Sequence, residues 1–115
     1  MELTINGKTY TFKFGIKFLK ALDEVYFVDA NGVKFGAGLE VGLAQLTGTR
    51  NPVALAEFLL AANKTESPRL GETTLDDYLE TDADIDTLID ETIKELTESN
   101  VTKGKVTAAL EKAAN

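Results

Sequence analysis

Asp82, Asp84 and Asp86 stand at the spacing that begins a calcium-binding loop, so three carboxylates are candidates to converge on a hard cation. The rest of that pattern fails. Thr87 occupies the position where the sharp turn needs glycine, and Ile93 the position of the closing bidentate glutamate. A helix through this segment also splays the three side chains, leaving them to complement a helix N-terminal dipole. Gly7-Lys8-Thr9 ends like a phosphate-binding loop, but Glu2 replaces the upstream glycine and the context is a hairpin turn. Gly36, Gly38 and Gly42 miss the dinucleotide-binding spacing because Val41 stands at the third glycine position, so bends are expected there. Asp76 and Asp77 offer paired carboxylates for acid–base work, yet neighbours on a helix point ~100° apart and do not form a dyad. Lys13, Lys17 and Lys20 make a small basic edge whose ordinary role is solubility.

Composition narrows the chemistry further. The chain of 115 residues contains no Cys and no His, which excludes disulfides, a thiol nucleophile and the usual general base near neutral pH. No cofactor or metal site and no enzymatic activity are expected. Between Glu72 and Glu98 eleven carboxylates face one base, Lys94, whereas the whole-chain net charge is only -7. The remaining sequence is therefore slightly basic and the molecule has an acidic pole. Net negative charge repels phosphate backbones, so no nucleic-acid partner is expected. The N-terminus lacks the pattern of a signal peptide and no segment approaches the ~20 apolar residues of a membrane span, so a soluble, cytoplasmic protein is expected.

The elements follow from turn chemistry and periodicity. Asn6-Gly7 suits a type I′ turn between two alternating segments, and the register it sets pairs Ile5 with Lys8, Leu3 with Tyr10 and Met1 with Phe12. Met1, Leu3, Ile5, Tyr10 and Phe12 then share one face. Ile16 to Glu24 reads as a short amphipathic helix. Residues 26–28 and 33–35 flank the turn-rich tetrad Asp29 to Gly32 and are expected to close a second hairpin or extend the first into a small sheet. Leu39 to Leu46 suits a brief helix ended by Gly48, with its glycines weakening it. Asn51-Pro52 starts an apolar helix running to Ala62, whose surface only Glu57 interrupts.

Pro68 and Gly71 mark the stretch from Lys64 to Thr73 as a loop. Thr74 is expected to cap a short helix through Glu80. Thr81 is expected to open a capping box for a helix from Ala83 to about Glu98. On a wheel, Ile85, Leu88, Ile89, Thr92, Ile93 and Leu96 fill an arc of about 140° and the charges fill the remainder.

MELTINGKTYTFKFGIKFLKALDE at the start and TLDDYLETDADIDTLIDETIKELTES near the end resemble the tail assembly chaperones of long-tailed phages and prophages of Gram-positive bacteria. The likeness covers most of residues 1–100 and lies in the order of elements: a hairpin running into F-G-x-x-F-L, an Asn-Pro-started apolar helix, then an acidic amphipathic helix. The resemblance implies a non-enzymatic protein that coats the aggregation-prone tape measure protein during tail assembly in the bacterial cytoplasm and is absent from the virion. It also implies a frameshifted longer form of the chain as a partner.

These observations predict one α+β domain over residues 1–100, an N-terminal hairpin packed with three to four helices, and a C-terminal tail over 101–115, flexible or weakly helical. Leu55, Phe58, Leu59 and Leu60 are the expected surface for self-association or partner binding. Asp84, Asp86, Asp90, Glu91, Glu95 and Glu98 are the expected acidic, solubilising face. Two rival readings are a virion component, such as a tail-tube or head–tail connector subunit, and a carboxylate-dependent hydrolase built on Asp76 or the Asp82 cluster. Lys103-Gly104-Lys105 can be encoded as AAG GGA AAG, which contains a slippery heptamer. The gene is expected to carry such a run, and codons without one near its end would remove the frameshifted partner.

Overall fold

The computed structural model describes residues 1–114, with side chains to Lys112; Asn115, the end of the expected tail, lies outside the described residues. The chain begins with β1 (Glu2–Ile5) and β2 (Lys8–Thr11), paired in the expected register, Ile5 to Lys8 and Leu3 to Tyr10. Asn6 (φ 53°) and Gly7 (φ 79°) occupy the left-handed region that the tight turn requires. The Phe12 amide donates to the Met1 carbonyl at 2.9 Å, extending the ladder by one pair. Ile5, Tyr10 and Phe12 are buried, and Met1 and Leu3 pack against the same core.

Helix α1 (Ile16–Val25) buries Phe18, Ala21 and Leu22 and leads into a second hairpin, β3 (Phe27–Ala30) and β4 (Val33–Gly36). Its turn is Asn31-Gly32 alone (φ 54° and 78°) rather than a tetrad from Asp29. This hairpin does not extend the first: the two sheets are separate and two-stranded.

Three to four helices were expected; six are present among the described residues. Helix α2 (Gly38–Gly48) includes the glycines read as weakening residues. They do more than bend the chain, because a Cβ on Gly38 would strike the backbone of α1 at Leu22 and one on Gly42 would strike the Phe58 ring. Helix α3 (Pro52–Asn63) starts as predicted: the Asn51 side chain accepts a hydrogen bond from the Val53 amide at 2.9 Å. Phe14, Phe18 and Phe58 form an edge-to-face chain with centroids 5.0 and 5.7 Å apart, linking the hairpin exit, α1 and α3.

Helix α4 (Glu72–Thr81) begins two residues before the expected cap Thr74, with Gly71 at its N-cap position. Thr81 closes α4 instead of opening the next helix, its hydroxyl donating to the Asp77 carbonyl at 2.8 Å. Asp84 is the cap of α5 (Ile85–Glu98), accepting from the Thr87 amide at 3.2 Å. An aspartate caps as well as a threonine, so composition alone leaves the choice open. The stripe of α5 is the predicted one, with Leu88, Ile89, Thr92 and Leu96 buried. The expected tail forms α6 (Lys103–Ala114), which packs on α5 through Val106, while Thr102 before it donates to the Leu96 carbonyl at 2.5 Å.

At the end of α3 the fully buried Asn63 joins three segments. Its Nδ2 donates to the carbonyls of Thr11 (3.0 Å) and Pro68 (3.1 Å), and its Oδ1 accepts from the Leu70 amide at 2.6 Å. Removing it orphans two carbonyls and one amide away from water. Asn63→Ala is expected to lower the unfolding free energy by about 3 kcal/mol in urea denaturation, while Asn100→Ala at an exposed site leaves it unchanged.

Candidate interaction surfaces

Three of the four residues expected to form a contact surface are unavailable. Leu55, Phe58 and Leu59 have no exposed surface, since α1, α2, α4 and α5 all pack against α3. An almost wholly apolar helix of this length is the pillar of the core, and its neighbours cover it. Leu60 alone is partly exposed; it lies in a groove between α3 and α4.

That groove encloses about 520 Å³. Val53, Ala56 and Leu60 form a stripe along α3 at i, i+3 and i+7, with Leu79 and Ile85 completing an apolar floor. Glu72, Asp76 and Glu80, four residues apart, form a row along α4, and Glu57 of α3 faces them. None of these four carboxylates is ion-paired among the described residues. Burial, then the charges of Glu72 and Asp76, push the Glu57 carboxyl above its usual range.

The acidic face of α5 is exposed at Asp84, Asp86, Asp90, Glu91 and Glu98, and half-covered at Glu95. Part of its charge is neutralised in place. Arg50 donates from Nε to Asp86 (3.0 Å) and from Nη2 to Asp90 (3.1 Å), and the chain's amino terminus lies 3.7 Å from Glu95. The Asp84 carboxyl is held below its usual range, chiefly by the Thr87 amide it caps. With Asp84 on a backbone amide and Asp86 on Arg50, the calcium-like spacing gathers no ligand set; among the described residues no three acidic side chains meet as a metal site would need.

Sequence reasoning did not single out the β3–β4 hairpin as a surface. Alternation puts Val28, Ala30, Val33 and Phe35 on one face, and nothing among the described residues covers it: Val28, Val33 and Phe35 are 51, 52 and 56% exposed. The opposite face carries Asp29 and Lys34, with Lys34 Nζ 4.1 Å from the centre of the Phe27 ring. The hairpin is held at its base, where the Ala37 amide donates to the Tyr26 carbonyl at 3.2 Å and Gly36 lies against Asp23. The Val and Phe residues were a signal, but alternation says which residues share a face, not whether another element covers it.

A sequence model described as phage tail assembly chaperone protein, TAC, matches residues 2–110. The chain belongs to the phage tail assembly chaperone family. No curated protein and no solved structure matches it. For a tail assembly chaperone, the uncovered hairpin and the acid-rimmed groove are two surfaces where a contact role is physically open. No helix among the described residues is long and apolar enough to cross a membrane.

The raised Glu57 pKa carries a stability consequence for this chaperone. The folded state holds the proton more tightly than the unfolded one, so stability falls as pH rises from the ordinary glutamate range through the raised value, and stays lower above it. Glu57→Gln is expected to raise neutral-pH stability by about 0.5 kcal/mol or less, given solvent screening of a half-buried group. The gain is expected to vanish near pH ~4, which thermal melts at the two pH values compare.

Proposed function

We propose that this tail assembly chaperone binds the tape measure protein in the cytoplasm of the bacterial host, keeps it soluble during tail assembly, and acts without catalysis as a homo-oligomer. The observation that carries the reading is the uncovered apolar face of Val28, Ala30, Val33 and Phe35. An isolated two-stranded hairpin is marginally stable in water, and one with an apolar face and two open strand edges is a ready template for association. Hairpins of neighbouring copies cover that face and pair those edges. A frameshifted longer form sharing this fold enters the same assembly through the same hairpin. The acidic face of α5, remote in sequence from the hairpin, stays hydrated and keeps the complex dispersed. Of the four α3 residues first considered for contact, Leu60 alone retains that role.

Co-expression with the chain is expected to move the tape measure protein from the insoluble to the soluble fraction. Val28→Ser combined with Phe35→Ser, both at exposed positions, is expected to yield monomers in sedimentation velocity with an unchanged far-UV circular dichroism spectrum. A tape measure protein equally soluble with and without the chain refutes the client assignment. Recovery of the chain from purified particles places it among the structural components of the tail instead.

A further inference from the structure

The groove between α3 and α4 pairs an apolar floor with four carboxylates that meet no cation among the described residues. Elsewhere five acids are ion-paired, Glu24 with Lys64, Glu40 with Lys105, Asp86 and Asp90 with Arg50, Glu95 with the amino terminus, and others, such as Glu91 and Glu98 on α5, are exposed to solvent. Around the groove Glu57, Glu72, Asp76 and Glu80 stand together without a partner among the described residues. Glu72 complements the dipole at the start of α4, but four like charges beside one another and beside Val53, which is 65% exposed, carry a net repulsion in the isolated chain. A partner that brings both apolar surface and positive charge relieves both penalties.

The groove also specifies the shape of that partner. Its walls are side-chain ridges of two helices, and both neighbouring sheets lie in other elements, so it offers no ladder of backbone groups to an extended strand. A helix brings its backbone hydrogen bonds already satisfied and needs only ridges and grooves to pack. From Val53 to Leu60 the apolar stripe spans about two helical turns, matching apolar anchors at i, i+3 or i+4, and i+7 of an occupant. We propose that this groove binds an amphipathic helix whose apolar stripe is flanked by lysine or arginine, the apolar side on Val53, Ala56, Leu60 and Leu79 and the bases along Glu72, Asp76 and Glu80. The assignment depends on the chaperone role only in taking that helix to be a segment of the client protein.

A fluorescein-labelled synthetic helix of about 18 residues, with a leucine stripe flanked by lysines, serves as the probe against the full chain; a second probe carries glutamate at the lysine positions. The lysine probe is expected to bind, the glutamate probe not to, and binding of the former to weaken steeply between low and high salt. Val53→Asp, and separately Glu72→Lys with Asp76→Lys, are each expected to weaken binding about tenfold or more, and their exposed positions leave the fold intact. Glu91→Lys with Glu98→Lys changes net charge equally on α5, away from the groove, and is expected to weaken binding about twofold or less. Equal losses from both charge-reversal pairs reduce the attraction to net charge and overturn the site, as do tight binding of the glutamate probe and a Val53→Asp variant that binds normally. A Val53→Asp variant that loses self-association instead assigns the groove to a second copy, which also overturns the proposal. The client role fails separately: tape measure protein that is soluble without the chain removes it even where the lysine probe binds as expected.

Discussion

The side chain of Asn63 decides how the two halves of this fold meet. Its amide donates to the end of the first hairpin and to the loop after α3, and its oxygen holds the amide of Leu70 just before α4. The neighbouring Ala62 carbonyl accepts from the Lys13 amide at 2.8 Å, so hairpin and helix are fastened at two consecutive residues. A buried primary amide is tolerated only when its donors and acceptor are used, and here all are. The consequence reaches the surface. By fixing the loop from Asn63 to Leu70, these bonds set where α4 starts, and so how the row of Glu72, Asp76 and Glu80 lies beside α3.

A second constraint comes from absent side chains. Gly38 and Gly42 let α2 approach α1 and the Phe58 ring more closely than any Cβ allows, and the Gly38 amide donates to Asp23 at 2.9 Å. The close approach completes the cover over α3. Once Leu55, Phe58 and Leu59 are enclosed by their own chain, the apolar area that an assembly chaperone offers to others has to come from elsewhere. The β3–β4 hairpin, the α3–α4 groove and a groove of about 540 Å³ between α2 and α6 are places where it remains.

Local chemistry made much of the fold legible in advance. Asn6-Gly7 specifies a turn, the turn specifies register, and register agrees with the apolar face, so three independent cues converge on the first hairpin. The stripe of α5 and the Asn-Pro start of α3 are equally local. What stayed hidden depends on partners distant along the chain. Asn63 carries no motif, since its bonds reach Thr11 across 52 positions; the glycines of α2 act through α1 and α3; and an apolar run such as 53–62 states that it must be covered without stating by what. The same gap explains the surfaces. Leu55, Phe58 and Leu59 of α3 and the hairpin residues look alike as composition, and only tertiary packing buries one set and leaves the other open.

The acidic pole, uniform in sequence, divides in three dimensions into two populations with different physics. On α5, Arg50 and the amino terminus neutralise part of the charge, while Glu95 and Glu98 sit in the last turn, where the helix dipole disfavours carboxylates. Charge kept there does not stabilise the helix through its dipole. On α4 and at Glu57 the carboxylates are unpaired among the described residues and border apolar side chains, and burial, then the charges of Glu72 and Asp76, raises the Glu57 pKa. Fully hydrated charge gains little from a partner, because surface ion pairs are weak. Charge beside exposed apolar surface gains more, because the contact that covers the apolar groups also excludes the water that screens the pair. That difference is why we place recognition on the α4 side of the pole and solubility on the α5 side.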